Sequence, residues 1–113
     1  MPWLKVKGCP DYQDVNWIHP LFQRKVFEAI EYTKTHWKDV THLIVFGSVA
    51  RGDCTESSDI DFCVVGDKLK KFYLPVTFNT PYDTVWLHDL DGDSSLLEQI
   101  AKDGVVVYGS VPA

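Results

Sequence analysis

The chain has 113 residues, a formal net charge of −5, 45% hydrophobic residues and 13% aromatics. That size suits one domain with its own core, burying about two-thirds of the surface an unfolded chain exposes. The composition excludes a disordered chain, and the acidic balance argues against a nucleic-acid coat, which needs a basic surface.

Residues 1–19 read as an N-terminal extension of uncertain structure. Trp3-Leu4-Lys5-Val6-Lys7 alternates like a short edge strand, with Gly8 to Pro10 ending it. Pro20 suits a first helical turn, and the spacing predicts a helix from about Pro20 to Trp37. Its apolar face is expected to carry Leu21, Phe22, Val26, Phe27, Ile30 and Trp37. Leu43-Ile44-Val45-Phe46 is a bounded apolar run, which predicts a buried strand stopping at Gly47. Gly47 to Gly52 reads as a turn opening a short helix, followed by a polar loop to Ser58. A second strand is expected over Ile60–Val65 and a third over Tyr82–Leu87, with a mixed stretch between them punctuated by Pro75 and Pro81. Ser94 or Ser95 is expected to cap a last helix running to about Lys102, with Glu98 suited to a capping box. Gly104 ends that helix, and Val105–Tyr108 predicts a final strand. The order implies an α+β fold, a single mixed sheet with helices packed against it.

Two carboxylates carry the first chemical signal. Asp59 and Asp61 lie two apart at the start of an apolar strand, so both point to one face while Ile60 and Phe62 point to the other. Like charges this close repel unless a cation sits between them, and a hard divalent ion takes oxygen ligands. Alone, a D-x-D pair is as readily a solvated strand end. Gly47-Ser48 supplies the second signal. A helix start after a buried strand offers unpaired backbone N–H groups, Gly47 allows close approach, and the Ser48 hydroxyl adds a donor. Arg51 either adds charge near a phosphate or pairs with Asp53 or Glu56. Anion donors at one strand end and paired carboxylates on the next suit a metal–triphosphate.

The run Gly47-Ser48-Val49-Ala50-Arg51-Gly52, followed by Ser58-Asp59-Ile60-Asp61, resembles the signature of the polymerase-beta-like nucleotidyltransferase superfamily, and within it the minimal nucleotidyltransferase group. The resemblance runs from the helix before Leu43 to Tyr108, and it implies one nucleotidyltransferase domain over residues 1–113. It implies that Gly47 and Ser48, with Arg51 and Ser58 beside them, bind the nucleotide. It implies that Asp59 and Asp61 hold two divalent metals, Mg²⁺ with Mn²⁺ as substitute. A third carboxylate of the family comes from a V-D-L-V-like strand, which Tyr82-Asp83-Thr84-Val85-Trp86 resembles, so Asp83 is the candidate metal ligand and activator of the acceptor hydroxyl. The implied reaction is metal-dependent transfer of a nucleotidyl group, adenylyl from ATP, to a hydroxyl. The implied setting is an antitoxin component paired with a helical HEPN-type protein. The alternative is a catalytically weak or inactive module of the same fold that binds nucleotide or neutralises a partner. The stretch between Asp61 and Asp83 is short and lacks the amphipathic helix many relatives carry.

The remaining features read plainly. Cys9, Cys54 and Cys63 are odd in number and form no C-x-x-C pair, so free thiols are expected, with Cys63 in the core. His19, His36, His42 and His88 are scattered and expected in structural or solvated roles. Asp89, Asp91 and Asp93 lack the spacing of a calcium loop and read as a solvated loop. Met1 to Lys5 lacks the apolar core of a signal sequence and no run reaches membrane-spanning length, so a cytoplasmic protein without membrane contact is expected.

Overall fold

A computed structural model describes residues 7–8, 18, 20–66, 71–87, 90 and 94–109. Five strands form one mixed sheet, β1 (Lys7–Gly8), β2 (Val40–Phe46), β3 (Ile60–Gly66), β4 (Tyr82–Trp86) and β5 (Val105–Tyr108), in the order β1-β5-β2-β3-β4. β2 runs antiparallel to both β3 and β5, while β4 runs parallel to β3 and β1 parallel to β5. The α+β class read from the sequence is borne out.

Each interior strand splits its side chains between two cores, as a period of two requires. Leu43 and Val45 of β2, Ile60, Phe62 and Val64 of β3, and Val105 and Val107 of β5 face α1 (Pro20–His36). Ile44, Phe46, Cys63 and Val106 face the opposite way, toward Ile100 of α3 (Ser94–Asp103). A sheet buried on both faces explains the continuous apolar runs Leu43–Phe46 of β2, Phe62–Val65 of β3 and Val105–Tyr108 of β5. Burying a side chain such as Phe62 completely stabilises the fold by about 1.5–3 kcal/mol.

α1 opens at Pro20 and places Lys34 and His36 in its last turn, where the helix dipole favours cations. Its buried stripe is Phe22, Val26, Ala29, Ile30 and Thr33, with Ile18 ahead of it. Leu21 and Phe27 are 59% and 44% exposed, contrary to the apolar face expected for them. At 100° per residue both fall on the flanks of the stripe rather than within it. Thr33 is the only buried polar residue among those described, and its hydroxyl donates to the Ala29 carbonyl at 2.7 Å.

One other boundary differs from expectation. β2 begins at Val40, three residues early, because a register shift between Val40 and His42 accommodates the exposed Thr41. Gly8 is the last residue of β1, pairing with Val106, where the strand was expected to end; residues 3–6 lie outside the described set. Asp59 precedes β3, whose ladder starts when the Ile60 N–H donates to the Pro81 carbonyl at 3.1 Å.

The parallel pair β3–β4 demands a crossover, for which a helix is the usual solution. In its described part, residues 71–81, the crossover holds only a 3₁₀ turn over Val76–Phe78. Side chains pin it instead. Phe72, Leu74 and Phe78 are buried. Lys25 Nζ donates to the Phe78 carbonyl at 2.6 Å and lies 5.4 Å above the Phe78 ring. Trp37 Nε1 donates to the Tyr73 carbonyl at 2.8 Å, and the Leu74 N–H donates to the Tyr82 hydroxyl at 2.9 Å. The crossover therefore delivers β4 in fixed register with few residues.

Gly104 joins α3 to β5 with its N–H donating to the Ile100 carbonyl at 2.7 Å. A Cβ there would collide with that carbonyl and with Ile44 Cγ2. Gly104→Ala is therefore expected to destabilise the protein by about 1–3 kcal/mol, the usual cost of overpacking. Urea unfolding measures it; an unchanged midpoint would show that the α3–β5 junction relaxes freely.

Candidate functional site

The site is assembled where three chain segments end beside one another. β2 stops at Phe46, opposite Asp61 of β3 in the antiparallel register. β3 and β4 run in parallel, with Asp61 directly beside Asp83. Adjacent strands lie about 4.8 Å apart, so these two carboxylates stand as lateral neighbours. They share the face of Cys63, Val85 and α3, since Ile60, Phe62 and Tyr82 turn to the α1 side. Asp59, two residues before Asp61, is exposed at the strand's threshold.

The charges show the strain of this arrangement. The Asp61 carboxyl is pushed above the usual aspartate range, first by burial, then by the negative charges of Asp83 and Asp59, with Arg51 pulling weakly the other way. Among the described residues, no three acids, histidines or cysteines already stand at metal-ligand spacing. The donor set nevertheless fits a hard divalent cation: three carboxylates, one half-buried and repelled by the other two, gain from a cation that takes oxygen.

Gly47 occupies the corner between β2 and α2 (Ser48–Arg51) at φ 77°, ψ −153°, a conformation that side-chained residues rarely adopt. A Cβ at this position would run into Asp61 Oδ2. The Asp61 carboxylate therefore rests against bare backbone, and glycine is required twice over. Ser48 follows, half-buried, and Val49 and Ala50 anchor α2 in the α1-side core.

Arg51 is committed elsewhere. Its Nε donates to Asp53 Oδ2 and its Nη1 to Asp103 Oδ2, each at 3.1 Å, and these bonds hold the guanidinium more firmly charged than usual. Of the two roles open to it from sequence, the structure shows pairing, with Asp53 rather than Glu56, plus a tie to the end of α3 that the sequence did not suggest. Asp103 lies 52 positions away, and no local pattern announces such a contact. Ser58 closes the loop ahead of Asp59: the Thr55 N–H donates to Ser58 Oγ at 2.9 Å and the Ser58 N–H to the Thr55 carbonyl at 3.0 Å.

Residues outside the site behave as expected where described. Cys63 is buried, and burial pushes its thiol up to about 12, an inert core residue. His36 stacks on Tyr32 with centroids 4.0 Å apart, and His42 contacts the Thr41 hydroxyl. His19, His88, Cys9 and the aspartates of 89–93 fall outside the described residues. No helix among the described residues is long and apolar enough to cross a membrane.

Comparison with known proteins identifies the family. The chain belongs to the nucleotidyltransferase domain family, whose model matches residues 27–103. The resemblance to the nucleotidyltransferase superfamily is borne out at the level of that domain family. A Methanocaldococcus jannaschii relative named "Putative protein adenylyltransferase MJ0604" is 41% identical over 46 residues, a stretch covering 40% of this chain and 46% of that protein. Two solved structures share the fold. One is a toxin-antitoxin with AMP-PNP, with TM-score 0.60 and 18% identity over 74% of this chain and 73% of that one. The other is a mutant of the toxin-antitoxin MntA-HpeT, with TM-score 0.56 and 17% identity over the same shares.

The raised Asp61 has a consequence for stability. A carboxyl whose folded value lies above its unfolded one binds more protons when folded, so stability falls as pH rises beyond the ordinary aspartate value of about 3.9. Asp61→Asn removes that penalty. The variant is expected to unfold at higher urea than the wild type at neutral pH without metal, and at the same urea below that ordinary value. A variant less stable at neutral pH would show that the Asp61 charge is already compensated inside the fold.

Proposed function

We propose that the chain, as one nucleotidyltransferase domain, binds ATP with Mg²⁺ at the Gly47–Asp61–Asp83 corner and transfers its adenylyl group to a hydroxyl of a partner protein. One observation carries the reading: a half-buried Asp61 in parallel register with Asp83 and seated against the bare backbone of Gly47. The adenylyltransferase name of the M. jannaschii relative supports adenylyl as the group and protein as the acceptor. The AMP-PNP of one fold neighbour supports an adenine nucleotide, and the toxin-antitoxin pairing of both supports a toxin partner, in our reading a HEPN-type protein. The MntA-HpeT mutant carries two Asp-to-Glu changes two positions apart, the spacing of Asp59 and Asp61.

Asp59, Asp61 and Asp83 would hold the divalent metal. When bound, that ion supplies charge neutralisation to the phosphates. The chain's own residues do the rest. The Gly47–Ser48 corner offers backbone N–H donors and the Ser48 hydroxyl to phosphate oxygens. Asp83, exposed at the end of the row, accepts the proton of the attacking hydroxyl. The new bond forms between that oxygen and the α-phosphorus, the bond from the α-phosphorus to the bridging oxygen breaks, and pyrophosphate leaves. Arg51 tensions the corner through Asp53 and Asp103 and reaches the nucleotide only if those pairs open. Ser58 sets the approach of Asp59.

Variants separate the roles. Asp59→Asn and Asp61→Asn are each expected to abolish Mg²⁺-dependent ATP binding in calorimetry while far-ultraviolet circular dichroism stays unchanged. Wild-type affinity in either would remove that aspartate from the site. Asp83→Asn is expected to reduce turnover far more than binding, and equal loss of both would remove its role as base. Ser48→Ala is expected to weaken ATP binding by about 1 kcal/mol; no change would leave the backbone donors alone in contact.

A further inference from the structure

α2 is a single turn of four residues set between two glycines of positive φ, Gly47 at 77° and Gly52 at 89°. One turn does not hold itself, because nucleating a helix costs more than its first hydrogen bond supplies. No side chain caps its start. Two attachments hold it instead. Val49 and Ala50 are buried in the α1-side core. Arg51 reaches the other layer, where its Nη1 donates to Asp103 Oδ2 at 3.1 Å, on the last residue of α3. Arg51 Nε also donates to Asp53, but Asp53 belongs to the same turn, since its N–H donates to the Ser48 carbonyl at 3.2 Å.

Asp103 stands on firmer ground. Its side chain is 12% exposed, against 39% for Arg51. The Gly104 that follows packs so closely on the Ile100 carbonyl and Ile44 that no Cβ fits. An acid in the last turn of a helix also faces the negative end of the dipole, so α3 by itself gains nothing from Asp103. A residue that breaks a local rule and is tied to the rim of the site is expected to serve that site.

We propose that Asp103 is a positioning residue for the metal–nucleotide site: through Arg51 it keeps the backbone of Gly47 seated against the Asp61 carboxylate. The inference rests on the nucleotidyl-transfer reading and deepens it by naming a residue outside the corner on which the site depends. The seat is tight, because even a Cβ at Gly47 would collide with Asp61 Oδ2, so a small shift of α2 changes it. The charge of Arg51 is also felt at Asp61, where it opposes the repulsion from Asp83 and Asp59. Without Asp103, α2 keeps its anchor in the α1-side core and loses its tie to α3. An ion pair this exposed contributes little to folding, so the loss falls on the geometry of the site.

The test is a double-mutant cycle on the whole chain, read by calorimetry with MgATP, urea unfolding and amide spectra. Asp103→Ala is expected to weaken MgATP binding on the order of tenfold, the usual scale for removing a residue that orients a ligand-holding one. Its urea midpoint is expected to stay near that of the wild type, and the amides of Gly47 and Ser48 to shift before nucleotide is added. Asp103→Asn, whose side-chain oxygen still accepts from Arg51, is expected to recover most of the affinity. In an Arg51→Met background, Asp103→Ala is expected to cost nothing further. Tighter binding by Asp103→Ala would overturn the proposal, because Asp103 would then compete with phosphate for Arg51. So would unchanged affinity, a tenfold loss that persists without Arg51, or a loss matched by a collapse of the urea midpoint. If the wild type binds no MgATP, the nucleotide site itself is wrong, and the role of Asp103 falls with it.

Discussion

A half-buried carboxylate that two other carboxylates repel is the constraint on which the structure turns. Asp61 sits on an interior strand whose next residues, Phe62, Cys63 and Val64, are completely buried, so it cannot swing away into solvent. Burial and the charges of Asp83 and Asp59 both disfavour its ionised form. Nothing in local packing gains from an aspartate there. A position that costs stability in the empty protein and gains from a bound cation is the expected mark of a working site.

The rest of the fold serves to hold that position. The α1-side core clamps Ile60, Phe62 and Val64, and the α3-side core clamps Cys63, so β3 is fixed from both faces. Gly47 leaves the space that the Asp61 carboxylate fills. The crossover packs Phe72, Leu74 and Phe78 against α1 and so delivers Asp83 in register without a helix. Arg51 ties the turn after Gly47 to the end of α3, joining the two layers at the rim of the site. The ion pairs are exposed on the arginine side and contribute little energy; their effect is geometric.

Much of this was legible in the sequence, for reasons that differ by element. β3 and β5 were readable because strands buried on both faces are apolar along most of their length, and Gly66 and Gly104 bound them. α1 was readable as a helix, yet its face was misjudged: Leu21 and Phe27 are apolar and near the stripe, and periodicity alone does not say how wide a stripe the core accepts. The start of β2 was hidden because Thr41 faces solvent at a register shift. Asp59 and Asp61 announced themselves as charges on an apolar strand, and Gly47-Ser48 as a corner before them. The pairing of Asp61 with Asp83 was reachable only through family likeness, since a parallel register joined by a crossover without a helix in its described part leaves no trace in spacing. The Arg51–Asp103 contact was not legible at all, because charges so far apart in sequence meet only through the packing of α2 and α3.

The most direct test of the central claim is a titration of the isotope-labelled protein with Mn²⁺ and ATP, read as paramagnetic broadening of amide signals. The structure predicts broadening centred on Gly47, Ser48, Asp59 to Phe62 and Asp83, and only when metal and nucleotide are both present. Broadening that spares these residues, or that centres instead on the aspartates of 89–93, would contradict it.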